Sequence, residues 1–161
     1  MKTARQAGIT TVEFAIVCVA LMAMILGIFE VARAYYTMAI LDEVTRRGAR
    51  LAAVCPVNDA AIPQLALMNA SGDTGNSRFV PGLTPGNVVI DYLDTNNAVV
   101  ANPAAAGFGQ IRYVRARVQA YTYQTSVPFV AGLASLAMPD FSYILPRESL
   151  GIPRDGAITP C

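Results

Sequence analysis

Apolar residues are concentrated near the N-terminus of this chain. The sixteen residues from Phe14 to Phe29 include no charged side chain, and the run extends back to Ile9 with two threonines and Glu13 as its interruptions. A helix rises about 1.5 Å per residue, so residues 9–29 would span roughly 30 Å, the thickness of a bilayer hydrocarbon core. The pattern therefore favours a retained transmembrane helix.

Two other interpretations of this run stay open. A removed secretory signal fits the basic residues Lys2 and Arg5 before the run and the small residues Ala32 and Ala34 after it. A buried core helix would share the apolar composition. For a retained helix, the basic N-terminal residues favour a cytoplasmic N-terminus, which leaves the rest of the chain outside the cytoplasm.

The helical pattern continues beyond the apolar run. Apolar residues recur there at spacings of three and four, which predicts one apolar stripe on a helix. They are Val31, Ala34, Met38, Leu41, Val44, Gly48 and Leu51. Because Pro56 disfavours helical geometry in the residue before it, we expect the helix to end near Cys55.

The opposite face of this helical segment is charged, which is typical of a solvated surface. Its acid-first pairs at a spacing of four residues each stabilise a helix by about 0.2–0.5 kcal/mol. They are Asp42–Arg46 and Glu43–Arg47. Nearer the apolar run, Glu30 lies three residues before Arg33, a spacing that predicts an ion pair at the end of the membrane segment.

Residues 56–161 have a different character and are predicted to form a small strand-rich region. The expected elements are a short helix at 59–69, a loop at 70–87, a strand at Asn87–Leu93, a turn at 94–97, a short return strand at Ala98–Ala101, a strand at Gln110–Val127, an apolar connection at 128–139, a last strand at Phe141–Leu145 and a tail rich in proline and glycine. The predicted fold class is α+β, in which the long helix packs on a small antiparallel sheet.

The alternation of side chains is clearest in the predicted strand at Gln110–Val127. Val114, Ala116, Val118 and Ala120 form its apolar side, and Arg115, Arg117, Gln119 and Tyr121 form its polar side. One apolar and one polar face are typical of an antiparallel sheet that covers a helix on one side.

Composition narrows the classes of function. The chain is 54% hydrophobic and 14% charged with a net charge of +1, whereas soluble domains carry about 25% charged residues. There is no histidine, and Lys2 is the only lysine, so an imidazole or lysine base in the body of the chain is excluded. We predict a protein that is not an enzyme, without cofactor, metal, nucleic acid or small-molecule substrate.

Other ligand motifs are weak. Side-chain oxygens for calcium are available at Asp91, Asp94, Asn96 and Asn97. Their spacing fits no EF-hand, and such residues form turns without metal.

The three cysteines fall into two groups. Cys18 lies inside the apolar run and is expected to be an inert buried thiol. Cys55 and Cys161 both lie outside the membrane in the predicted topology, where an oxidising compartment allows a disulfide between them. Two free thiols, or an intermolecular bridge through Cys161, are the alternatives.

The residues with the clearest functional pattern lie at the very start of the chain. A basic leader ends in Gly8, and Glu13 is the fifth residue counted from Ile9. Placing a carboxylate in a membrane helix costs about 2.5–3.5 kcal/mol of insertion free energy at the bilayer centre. A glutamate at position 13 is therefore expected to have a function. A cut between Gly8 and Ile9 would create an α-amine that Glu13 can neutralise in its own chain or in a neighbour's. Alternatively, Thr10 caps the helix in a capping box with Glu13.

This arrangement resembles type IV prepilins and pseudopilins. The segments VEFA at 12–15, GIFEVARAYY at 27–36 and RRGARLAA at 46–53 narrow the resemblance to the TadE-like family, over residues 8–54. The resemblance implies a pseudopilin-like protein of tight-adherence (Flp) pilus systems. Glu13 and the following Phe14 would serve assembly, and a prepilin peptidase would cut after Gly8. Major Flp pilins have a Glu-Tyr pair and are shorter, which favours a minor or accessory role.

The resemblance also implies an organisation and a location. Residues 1–8 would be the leader, 9–29 the transmembrane segment, 30–55 the extracytoplasmic continuation of the helix, and 56–161 the strand-rich region. The protein would cross the inner membrane once, with its C-terminal region in the periplasm, and its partners would be other pilin-like subunits and the assembly machinery. The alternative is a secreted or anchored binding or adhesion protein with an ordinary signal sequence.

Overall fold

A computed structural model describes residues 4–70, 73, 75–126, 135–152, 156 and 161. The chain forms two compact units. The first comprises Met1–Tyr36 and Gln124–Leu136, and the second comprises Thr37–Tyr123 and Ala137–Cys161. The first unit includes the apolar run, and the second includes the main sheet and the buried core.

The first helix, α1, runs from Ala4 to Val54 without a break. It ends one residue before Cys55, as the position of Pro56 predicts. It begins several residues before Thr10, so this threonine lies inside the helix. The prediction that Thr10 caps the N-terminus of the helix is therefore wrong.

The C-terminal end of α1 is capped by a distant segment of the chain. The backbone N–H groups of Glu148 and Leu150 each donate to the carbonyl of Ala53 at 3.1 Å, and the N–H of Gly151 donates to the carbonyl of Val54 at 2.7 Å. The last carbonyls of a helix lack partners within it, so this segment satisfies groups that would otherwise need water. Residues 148–151, which the sequence predicts to be part of a tail, therefore have a structural role as the cap of α1.

Three antiparallel strands form the main sheet. They are β1 (Val88–Leu93), β2 (Tyr113–Val118) and β5 (Phe141–Pro146), in the order β1-β2-β5. In the observed register, Ile90 of β1 lies opposite Ala116 of β2, which in turn lies opposite Tyr143 of β5. The first and last of these strands match the predicted ones to within one residue.

In the second unit, α1 packs on this sheet, and Gly48 lies at the closest contact described between them. A Cβ placed on Gly48 would lie 3.2 Å from the Cβ of Ala116 and 3.7 Å from Cδ1 of Ile90, so the backbones approach closely. Leu41 and Val44, on the same helix face, are fully buried. The centre of the predicted stripe therefore covers the chain's own sheet, and the predicted α+β fold is confirmed.

One cluster of buried residues includes side chains from the end of α1, from the strands β1 and β2 and from the C-terminal segment. It consists of Ala52, Cys55, Ile62, Tyr92, Val100, Ile111, Val114 and Leu150. Ile62 belongs to a second short helix, α2 (Ala61–Ala66), which is shorter than the predicted helix at 59–69.

The long strand predicted at Gln110–Val127 is wrong at its start, because Gln110 ends a 3-10 helix (Phe108–Gln110) and β2 begins at Tyr113, and it is wrong in its second half. Ala120 adopts a left-handed backbone conformation with φ +55°, which ends β2 and starts a new strand, β3 (Thr122–Gln124). The alternation shifts there, because Ala120 is exposed while Tyr121 is buried.

The remaining extended segments form one short strand pair and one isolated bridge. β3 pairs with β4 (Ser135–Ala137) in a separate two-stranded sheet. β4 occupies part of the predicted apolar connection, whose residues 128–134 lie outside the described residues. The predicted return strand at Ala98–Ala101 is reduced to a single bridge between Leu93 and Val99.

Candidate functional site

The residues of the predicted cleavage and assembly site all lie on one exposed stretch of α1. Ile9 is 61% exposed and Phe14 68% exposed, and Gly8 and Glu13 are also exposed. A Cβ built on Gly8 would contact no side chain or distant backbone within 4 Å. Ile9 and Glu13 are four residues apart, about 6 Å along the axis, and so lie on one face. This geometry leaves the side chains of Ile9, Glu13 and Phe14 accessible to another molecule.

The apolar run following this site is exposed along its length. The helix over Gly8–Val54 is long and apolar enough to cross a membrane once, and none of its most apolar 18-residue window is buried within the chain. A core helix would be mostly buried, so the exposure argues against that interpretation. An N-terminal signal sequence would have the same length and composition.

The C-terminal end of the run is marked by a polar junction that the sequence predicts only in part. The expected pair is present: Nη1 of Arg33 lies 3.2 Å from a carboxylate oxygen of Glu30. In addition, the backbone N–H of Ser126 donates to both oxygens of Glu30 at 3.3 Å, and Arg33 donates to the hydroxyl of Ser126. We call these three residues the Glu30 junction. No local sequence signal indicates a contact that spans 96 residues.

Cys55 and Cys161 are joined by a disulfide in the structure, with their Cα atoms 5.7 Å apart. The bond closes a loop over a sequence separation of 106 residues. Cys55 itself is fully buried in the core cluster, at the end of α1. Cys18 is a free thiol of intermediate exposure.

On the outer side of the sheet, Asp91 joins two arginines that the alternation places on a solvated face. Arg115 donates from Nε and Nη2 to Oδ2 of Asp91 at 3.0 and 2.8 Å. Nε of Arg117 lies 2.9 Å from the same oxygen as an ion pair, without the alignment of a hydrogen bond. The Asp91 side chain is only 10% exposed, so these arginines are structural as well as solvated.

The oxygen-rich turn considered for calcium also has a structural explanation. Oδ1 of Asp94 accepts hydrogen bonds from the backbone N–H groups of Asn96 and Ala98 at 2.7 and 2.9 Å. Among the residues described by the structure, no group of three or more acidic, cysteine or histidine side chains is arranged to hold a metal ion.

The charged face of α1 forms one of its two predicted ion pairs. Arg46 bonds to Asp42, and both side chains are about half exposed. Glu43 and Arg47 are exposed and do not contribute an ion pair within the described part of the chain. The interpretation as a solvated surface fits this geometry.

Tyr92 holds the chain segment that follows α1. The backbone N–H of Asn58 donates to the hydroxyl of Tyr92 at 3.1 Å. Burial raises the pKa of Tyr92 above its ordinary value of 10.0; the hydrogen bond from Asn58 opposes this shift, and the nearby charge of Asp59 adds to it. The sequence gives no local signal for this contact, because Asn58 and Tyr92 are far apart in the chain.

Taken together, these features define an α+β protein with one N-terminal helix that is able to cross a membrane, and with an exposed glycine and carboxylate at its start. Residues 8–50 match the family model described as TadE-like protein. The match includes Gly8, Glu13 and the Glu30–Arg33 pair, and it confirms the predicted resemblance over this segment. Comparisons with curated proteins and with solved structures found no match.

Proposed function

We propose that this protein is a pseudopilin or minor pilin that acts in the assembly of a tight-adherence (Flp, type IV-like) pilus. The observation that carries the proposal is the coincidence of two features on one segment. Residues 8–50 match the TadE-like family, and the same segment presents Gly8, Ile9 and Glu13 exposed on a helix of membrane-spanning length. The proposed role is structural and needs no catalytic residue.

In this proposal a prepilin peptidase hydrolyses the bond between Gly8 and Ile9. The cut removes Lys2 and Arg5, so the basic residues fall from 12 to 10 against 11 acidic ones, and the net charge changes from +1 to −1. The new α-amine at Ile9 carries a positive charge in a membrane environment, where an unpaired charge is costly.

Glu13 is the group that offsets this cost. Its carboxylate is exposed one helical turn from Ile9, so it can pair with the amine of its own chain or of a neighbouring pilin-like helix. Pairing between chains fixes the axial register of two parallel helices. Phe14, which is 68% exposed, extends this contact surface with apolar area.

The proposed location is the inner membrane, crossed once. The basic residues Lys2 and Arg5 favour an N-terminus in the cytoplasm, and the C-terminal region then lies in the periplasm. An oxidising periplasm supports the disulfide between Cys55 and Cys161. The proposed partners are the inner membrane, the prepilin peptidase, other pilin-like subunits and the pilus assembly machinery.

The N-terminal residue of the protein isolated from its native membrane tests the processing step. A start at Ile9 supports the proposal. A start near Tyr35 would instead identify a removed signal sequence and a secreted binding or adhesion protein, which is the alternative function. An intact Met1 would contradict peptidase processing.

The assembly step is tested by piliation of cells that carry Glu13→Ala, with Thr11→Ala as a matched control on the same exposed stretch. Glu13→Ala should leave the protein in the membrane and cut by the peptidase but should abolish or strongly reduce pili. Thr11→Ala should leave piliation unchanged. Normal piliation with Glu13→Ala would overturn the register role of the carboxylate.

A further inference from the structure

A polar junction sits at the point where the apolar run ends. Glu30 follows Phe29 directly, and its side chain is only 15% exposed although Phe29 and Val31 beside it are 63% and 56% exposed. The shielding of Glu30 coincides with the hydrogen bonds it accepts from Ser126 and Arg33. A distant segment of the chain is therefore fixed to α1 at the level where a membrane-spanning run would leave the hydrocarbon.

The segment fixed in this way belongs to an uncharged part of the sequence. The sixteen residues from Gln124 to Pro139 carry no charged side chain. Two strands flank the junction, β3, which ends at Gln124, and β4, which pairs with it. Leu136 of β4 is 41% exposed. β3 ends two residues before Ser126, so the strand pair directly adjoins the junction along the chain.

We propose that the Glu30 junction holds the β3–β4 strand pair on the outer surface of the lipid bilayer, where Leu136 contacts lipid. This inference rests on the proposed function only in requiring that α1 crosses the membrane. Lipid is the occupant because the junction lies at the end of a run of bilayer length and because Ser126 and the strands β3 and β4 carry no charge. An interface of this kind binds apolar side chains about 5–10 Å into the boundary between headgroups and acyl chains.

The junction suits this position electrostatically. A lone carboxylate near the hydrocarbon boundary would be costly. Glu30 is instead paired with Arg33 and accepts the backbone N–H of Ser126, and a paired and hydrogen-bonded charge is much less costly to desolvate. Glu30 and Arg33 are thus positioning residues for the strand pair.

The chain offers a clean probe because it contains no tryptophan. We would reconstitute the full-length Leu136→Trp protein in vesicles of phosphatidylethanolamine and phosphatidylglycerol, with and without brominated acyl chains. The tryptophan should emit at shorter wavelength than in water and should lose about half of its intensity in brominated vesicles, since an interfacial ring lies within reach of the upper acyl chain. Val99→Trp is the matched control, because Val99 is 60% exposed and follows the polar turn at 94–97, and it should not be quenched.

A second set of variants tests the positioning role. Glu30→Gln in the Leu136→Trp background should reduce the quenching, whereas Glu43→Gln, an exposed change on the same helix, should leave it unchanged. Met138→Trp, two residues from Leu136 and therefore on the same side of the strand pair, serves as a second probe if Leu136→Trp does not fold. Reduced quenching with Glu30→Gln alone would support the junction as the cause.

Two results would overturn the proposal. Leu136→Trp that emits and is quenched like Val99→Trp would show a strand pair in water. A shift to shorter wavelength without quenching would show cover by protein instead of lipid. Extraction of the same vesicles at alkaline pH separates this inference from the proposed function. Protein that stays in the membrane but is not quenched refutes only the lipid contact, whereas protein that is released refutes the spanning helix as well.

Discussion

Asp91 of β1 and Arg115 of β2 lie opposite each other in the sheet and are joined by two hydrogen bonds, at 2.8 and 3.0 Å, to one carboxylate oxygen. The Asp91 side chain is 10% exposed and that of Arg115 is 29% exposed. Because the carboxylate is nearly buried, its bonds are worth more than those of a surface ion pair. The two bonds therefore link β1 and β2 on the face of the sheet opposite to the one that packs on α1.

Asp91→Asn should therefore destabilise the protein. The change removes the negative charge that faces two arginines, and we expect a loss of about 1.5–3 kcal/mol in the free energy of unfolding. Chemical denaturation of the two proteins measures it. Asp42→Asn, which breaks the exposed pair with Arg46, is the matched control and should cost less than about 1 kcal/mol. Equal costs would contradict a special role for the Asp91 cluster.

Gly48→Val tests the close approach of α1 to the sheet. Its side chain would collide with Ala116 and Ala66, whose Cβ atoms lie 3.2 and 3.4 Å from the Cβ position of residue 48. Overpacking of this kind costs about 1–3 kcal/mol. Ala39→Val adds a similar volume at an exposed position of the same helix, and it should change the thermal midpoint little. A fall only for Gly48→Val confirms the packing.

Loss of the disulfide should destabilise the second unit strongly. A closed loop of this size is worth about 4–5 kcal/mol in the chain-entropy model. Cys161→Ser should lower the denaturation midpoint and make it insensitive to reducing agent, while Cys18→Ser should keep the wild-type response. Mass spectrometry of the unreduced protein checks the bond directly, and two free thiols at Cys55 and Cys161 would refute it.

The raised pKa of Tyr92 predicts a loss of stability in alkali. The folded protein keeps the phenolic proton at a pH where the unfolded chain, with an ordinary pKa of 10.0, has begun to lose it. The contribution is therefore fully present below pH 10.0 and falls as the pH rises through and above this value. Tyr92→Phe should lose less stability over this range than the wild type does, in denaturation curves taken on both sides of pH 10.0.

At neutral pH the same change removes the acceptor for the N–H of Asn58, which costs about 0.5–1.5 kcal/mol. Tyr113→Phe is the control, since Tyr113 is 37% exposed. Identical alkaline behaviour of wild type and Tyr92→Phe would contradict the assignment of the shift to Tyr92.

The parts of the fold that the sequence predicts are those with local causes. An uncharged run and the proline at position 56 are enough to predict α1 to within one residue of its end. β1 and β5 follow from short apolar segments between turn residues. The TadE-like resemblance likewise depends on a continuous segment, and the family match covers it.

The parts that the sequence does not predict depend on contacts between distant residues. Nothing near Ala120 indicates a left-handed residue, because residues other than glycine rarely adopt a positive φ; the two tyrosines that follow it, Tyr121 and Tyr123, are both buried. Asp91 meets Arg115 only once the strand register is known. The contact of Ser126 with Glu30, and the capping of α1 by Glu148–Gly151, likewise require the folded chain.

The way α1 ends has a consequence for the order of events during export. The carbonyls of Ala53 and Val54 are capped by residues near position 150, and Leu150 fills the core beside Cys55. The ribosome makes these late residues about a hundred positions after the helix they complete. If the N-terminus stays in the cytoplasm while the residues after the membrane segment cross in order, the sheet region therefore stays unfinished until residues near position 150 have emerged, and subunit docking that needs the finished unit has to wait for them.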